Sequence, residues 1–133
     1  MSSVFSVEQF EMVFGKSRDA VFFVEKEGTD YRYVHVNEAA TKLINTNPTD
    51  KLVGQVVPPH VAKNIFSYYD QTLQTGEQVE YEDYTYTEKE VRKQRTSTVP
   101  VIEGNRQYIL AITKEVHMNR DREDKYLFMR SIF

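Results

Sequence analysis

Tyr31-Arg-Tyr-Val-His-Val-Asn37-Glu-Ala-Ala-Thr-Lys-Leu-Ile44 decides the fold, because a run rich in β-branched and aromatic residues passes without a spacer into a helical pattern. Asn37 is the pivot. Its side-chain oxygen can accept an N–H from Ala39 or Ala40, as a preferred N-cap does, and Ala40, Leu43 and Ile44 then share one helix face. Turn chemistry follows in Asn45-Thr-Asn-Pro-Thr-Asp50.

Upstream, the apolar run Asp19-Ala-Val-Phe-Phe-Val-Glu25 is separated from Tyr31 by Lys26-Glu-Gly-Thr-Asp30, which predicts two antiparallel strands joined by a turn around Gly28. Before them, Val4, Val7, Phe10 and Phe14 recur at helical spacing behind a capping Ser6, a short amphipathic helix that ends near Gly15. Downstream, Pro58-Pro59 opens onto Val61, Ile65, Phe66, Tyr69 and Leu73, helically spaced from His60 to a C-cap at Gly76. Three β-like segments follow, 78–87, 91–102 and 106–113, divided by Glu88-Lys-Glu90 and Glu103-Gly-Asn105. Residues from Lys114 to Phe133 begin charged and end apolar, as expected of a helix leaving the domain. The predicted order is two strands, short helices, one long helix and three strands: an α+β domain.

Composition narrows the chemistry. With 133 residues, 40% of them apolar, the chain is long enough for one core and too apolar to be disordered. The formal net charge of −3 comes without a basic stripe, which argues against nucleic acid or an anionic membrane surface as partner. The chain has no cysteine, so disulfides, thiolate metal sites and thiol nucleophiles are excluded. No apolar run approaches the roughly 20 residues of a membrane span, and the start has no signal-peptide pattern, so a cytoplasmic location is expected.

Several phrases in their order resemble the PAS family. They are Asp19-Ala-Val-Phe-Phe-Val, Tyr33-Val-His-Val-Asn37-Glu-Ala-Ala, Leu52-Val-Gly54-Gln, Gly76-Glu and Thr98-Val-Pro100-Val, within a match spanning roughly residues 10 to 117. The resemblance implies a five-stranded antiparallel sheet wrapped by short helices and one longer helix around a pocket. It divides the chain into an N-terminal flanking helix over 1–15, a PAS core over 16–114 and a signalling helix or linker over 115–133. An Asp-Ile-Thr phrase that usually ends the fifth strand of the family is here Glu115-Val116-His117.

A pocket implied by the resemblance draws Phe22 and Val24 from the first strand, Phe66, Tyr69 and Leu73 from the long helix, and Tyr84 from the third strand. The fourth strand turns Gln94, Thr96 and Thr98 inward, beside Ile109, Ala111 and Thr113 of the fifth. The opposite register would bury Arg95, Ser97 and Val99, and an unpaired buried Arg95 would be costly, so the first is preferred. Most of the tyrosines near the pocket, Tyr68, Tyr69, Tyr81, Tyr84 and Tyr86, read as half-buried packing residues. Asn37 is read as a structural cap, and the acidic stretch Glu77 to Glu90 as a solvated strand edge.

No cofactor is assigned. His60 stands near where haem-binding relatives place an axial histidine, yet a helix-start histidine is more often a surface or capping residue. His35 lies between Val34 and Val36, and strict alternation sets it on the face opposite both, exposed or toward a partner. Flavin-binding relatives use a Cys or a Trp, and both are absent.

The resemblance therefore implies a sensor, with no catalytic residues, that binds an unknown small molecule or a partner. Its state passes through the flanking helices to a following output domain of a multidomain bacterial-type protein, in two-component or cyclic-dinucleotide signalling. A homodimer is expected through the stripe of Val7, Phe10 and Phe14, and the apolar ending Tyr126 to Phe133 suggests that a further domain follows. The alternatives are a docking PAS whose pocket its own rings fill, and a small cone-shaped isomerase, for which no isolated acid stands in an apolar strand face.

Overall fold

The computed structural model describes residues 5–86 and 91–116, and for 83–86 and 91–92 the backbone alone. Its elements run α1 (Val7–Phe14), β1 (Ala20–Glu27), β2 (Asp30–Val36), α2 (Glu38–Ile44), α3 (Val53–Val56), α4 (Pro59–Thr75), β3 (Val79–Tyr86), β4 (Val91–Glu103) and β5 (Arg106–Val116). The strands form one antiparallel sheet in the order β2-β1-β5-β4-β3. This is the expected α+β architecture, with α3 a turn of helix that the spacing had not indicated.

The sheet is covered on both faces, which explains the unbroken burial of Ala20 to Val24 in β1. On the inner face, Ala20, Phe22, Val24, Tyr31, Tyr33, Ile109 and Ala111 form a core with Ala40, Val53, Ala62 and Tyr69 of α2, α3 and α4. On the outer face, Phe10 of α1 packs on Val21, Phe23 and Tyr108. The fourth strand takes the preferred register: Gln94, Thr96 and Thr98 are buried, while Arg95 is exposed and bonds Glu82 at 3.1 Å. A buried guanidinium would need a countercharge that the inner face does not supply.

Three expectations are corrected. The first concerns β5, which pairs with β4 as far as Lys93↔Val116, so Glu115 and Val116 belong to the sheet and not to an exit helix. The C-terminal helix expected beyond them, His117 and the Glu88-Lys-Glu90 turn lie outside the described residues. The second concerns His35. A bulge in β2 shifts its pairing from Phe23↔His35 to Val24↔Tyr33, so Val34 and His35 both face outward and only Val36 turns in. His35 then stacks on Phe10 and Phe23, with ring centroids 5.2 and 6.1 Å away, and its Nε2 lies 2.8 Å from the Phe5 carbonyl.

The third concerns the stripe of Val7, Phe10 and Phe14. Phe10, 2% exposed, and the half-buried Phe14 pack on the chain's own sheet, whereas Val7 is 68% exposed, so the three do not form one open face. The rings explain this docking: Phe5 meets Phe10, Phe14 and Phe23 edge-on at 5.2 to 6.2 Å. Each such ring contributes about 1.5–3 kcal/mol by burial, enough to hold a two-turn helix that could not persist alone. A capping box fixes its start, with Gln9 N–H donating to Ser6 Oγ and Ser6 N–H to Gln9 Oε1.

Asn37 does more than cap α2. Its Oδ1 accepts from Ala40 N–H at 2.9 Å and from Val21 N–H at 3.0 Å. Its Nδ2 donates to the carbonyls of Phe14 and Asp19, both at 2.9 Å. All four bonding positions of the amide are used, and the side chain, 1% exposed, ties the end of α1 to the starts of β1 and α2.

Candidate functional site

Between the inner face of the sheet and the helices lies a cavity of about 930 Å³, within the range that holds a small molecule. The helical side is apolar but for the hydroxyl of Tyr69, built by Leu43 and Ile44 at the end of α2, Val56 and Val57 around α3, and Val61, Ile65 and Tyr69 of α4. The sheet side is mixed, with Phe22, Tyr33 and Tyr81 beside the polar Gln94, Thr96 and Thr113. Pro58, His60 and Asn64 are exposed and form the rim.

The helix above the cavity is held by polar contacts to both sides near its C-terminal end. Toward β2, Tyr31 Oη donates to Asp70 Oδ1 at 2.6 Å, and Lys26 Nζ meets the same oxygen at 3.1 Å while lying 5.0 Å from the Tyr31 ring. Burial first, and then the Asp70 carboxylate, push the Tyr31 phenol far above its ordinary range, so it stays a donor. Toward β4, Thr72 Oγ1 and Thr98 Oγ1 share a buried hydrogen bond of 2.6 Å. Thr72 also donates toward the Tyr68 carbonyl (2.8 Å) and Thr98 toward that of Val79 (3.2 Å), alternatives open to each hydroxyl. Gly76 closes α4 in the left-handed conformation at φ 69°, which glycine adopts without a Cβ penalty.

The remaining polar groups face the cavity. Thr96 Oγ1 and Thr113 Oγ1 lie 2.9 Å apart and bridge β4 to β5. Burial pushes the Tyr33 phenol up to about 12 and the Tyr69 phenol well above its usual 10.0, so both are neutral O–H groups at neutral pH. Tyr81 stacks on Tyr68 with parallel rings 3.8 Å apart, closing the β3 side.

Of the residues expected at a pocket, Phe22, Tyr69, Gln94, Thr96 and Thr113 are on the cavity wall. Val24, Ile109 and Ala111 face inward but are packed into the core, Phe66 and Leu73 pack against that core, and Thr98 is engaged with Thr72. The side chain of Tyr84 lies outside the described residues. His60, the weak haem-ligand candidate, is exposed at the rim. Among the described residues no group of three or more His, Asp or Glu is placed to hold a metal ion. Sequence reasoning did not place Tyr33 of the sheet at the pocket, nor the wall and rim that Leu43, Ile44, Val56, Val57, Pro58, Val61, Asn64 and Ile65 build; alternation from Tyr31 would have placed Tyr33 inward, and the i, i+4 relation to His60 would have placed Asn64 beside it.

A family model described as the PAS fold matches residues 14–121. The chain belongs to the PAS-fold family. Solved structures share the fold. The PAS domain of Bordetella pertussis BvgS is similar with a TM-score of 0.66 at 15% identity, over 95% of this chain and 97% of that one. A domain of an HTR-like protein from Haloarcula marismortui gives 0.63 at 13% identity, over 76% of this chain and all of that one. A sensory box sensor histidine kinase from Vibrio cholerae gives 0.59 at 14% identity, over 80% and 85%. At these identities the likeness is one of fold. No curated protein matches the chain in sequence. Among the described residues no helix is long and apolar enough to cross a membrane.

Proposed function

We propose that this PAS domain is a cytoplasmic sensory module, without a catalytic step of its own, that binds a small molecule in the cavity and relays occupancy to an output domain following in the same chain. The observation that supports this most is the position of Thr113. It is on the cavity wall, bonded across to Thr96, and three residues before Val116 at the end of β5. At about 3.3 Å per residue, a ligand at Thr113 touches β5 roughly 10 Å from that end. A change in the Thr96–Thr113 pair thus alters β5, the strand that precedes the residues toward a following domain, and differential binding to two poses of that strand is what a relay requires.

Native mass spectrometry of the purified chain against a metabolite mixture tests the binding step. A retained or newly bound molecule that is lost on Ile65→Trp, which fills the cavity from α4, is the expected result. A chain that holds nothing from the mixture would instead support the docking role. Assembly as a homodimer belongs to the same proposal, with Val7, Met12 and Val13 as the exposed apolar positions of α1. Light scattering at increasing concentration measures it, and a mass that stays monomeric removes it.

A further inference from the structure

Among the described residues, the cavity wall holds no Asp, Glu, Lys or Arg. On the strands around it, Lys26 is paired with Asp70, and Lys93 and Arg95 are paired with Glu82. Resting on the reading that the cavity binds a small molecule, we propose that its ligand is neutral and amphipathic, with an apolar body against α2, α3 and α4 and acceptor oxygens of carbonyl, ether or hydroxyl type against the sheet.

Three features argue for that class. An anion or cation entering the cavity would lose its hydration and meet no carboxylate, ammonium or guanidinium on the wall, with His60 exposed at the rim, a cost that a neutral molecule avoids. The sheet, with Tyr69 of α4 beside it, offers donors that the protein does not consume. No described residue bonds the hydroxyl of Tyr33 or of Tyr69, and the Thr96–Thr113 pair uses only one of its two O–H hydrogens. Burial holds both phenols protonated, so they present hydrogens and seek acceptors. A purely apolar ligand would leave these donors dry, and a fully polar one would waste the side built by Leu43, Ile44, Val56, Val61 and Ile65.

The test uses octanamide, octanoate and octylammonium, which share one apolar body and differ in head charge. Each is titrated at neutral pH onto the whole chain, with backbone amide NMR shifts at Ile65, Thr96 and Thr113 as the readout. Octanamide is expected to bind at least about tenfold more tightly than either ion, the discrimination that an unpaired charge in a cavity imposes. Tyr33→Phe and Thr96→Val, each checked for fold by circular dichroism, are expected to weaken octanamide several-fold while leaving the two ions unchanged. Two variants guard against one failing to fold. Binding of octanoate or octylammonium as tight as that of octanamide would overturn the neutral-ligand inference and leave the ligand-binding reading standing. Three titrations without a shift at those residues would overturn the ligand-binding reading, and this inference with it.

Discussion

On the outer face of the sheet α1 is held by rings: Phe23 and Tyr108 stack with centroids 4.9 Å apart, and Phe5, Phe10 and Phe14 close over them. On the inner face α4 is held partly by hydroxyls, Thr72 to Thr98 and Tyr31 to Asp70, while Thr96 and Thr113 bond strand to strand beside the cavity. The same strands serve both, since Val21 and Phe23 point one way and Phe22 and Val24 the other. The difference teaches that the outer layer gains its stability from contact area, which is insensitive to small shifts of direction. The inner layer depends on aligned donors and acceptors, which weaken when their angles change.

The contrast breaks most severely at Asn37, where both layers are tied. Asn37→Ala removes four hydrogen bonds and strands two backbone N–H groups and two carbonyls, so a loss of about 4 kcal/mol is expected by urea denaturation. Phe10→Ala attacks the outer layer alone and is expected to cost about 3 kcal/mol. Hydrogen exchange should then quicken in α1 and stay slow in α4.

Alkali should reach the inner layer selectively. The folded Tyr33 phenol is raised to about 12 from 10.0, so the stability it contributes is complete below pH 10 and is lost as pH rises through about 12. Phenolate absorbance should therefore show exposed tyrosines titrating first and the buried ones only with unfolding. Thr98→Val should cost about 1 kcal/mol, and Thr72→Val with Thr98→Val less than the sum of the two, because the pair is lost only once. Between β3 and β4, hydrogen bonds from Lys93 first and then Arg95 hold the exposed Glu82 carboxyl below its usual range. Its contribution is present above the unfolded pKa and is lost as acid titrates it. Glu82→Gln should leave the urea midpoint unchanged within error at neutral pH.

The element order was legible in the sequence because turns and caps are local: Ser6, Asn37 and Gly76 sit where their backbone conformations require. The register of β4 was legible because Arg95 has only one affordable side. The bulge in β2 was not, since the extra residue is set by the pairing of Val24 with Tyr33 across the sheet and Tyr31-Arg-Tyr-Val-His-Val alternates evenly on its own. Docking of α1 was missed for a related reason. An amphipathic stripe states that it must be covered but not by what, and here the cover is the chain's own Phe23 and Tyr108. The cavity was half legible: facing inward does not separate Thr96, on the wall, from Ile109, in the core, because the space between them is made by the path of α3 and α4.

The Asn37 amide also makes the detachment of α1 readable from a distance. Because one side chain holds the Phe14 carbonyl on the outer side and the Ala40 N–H on the inner side, any excursion that lifts the end of α1 unsettles the first turn of α2. The amide protons of Val21 and Ala40, both bonded to that single oxygen, should exchange with one shared rate, a built-in gauge of whether the two layers open together.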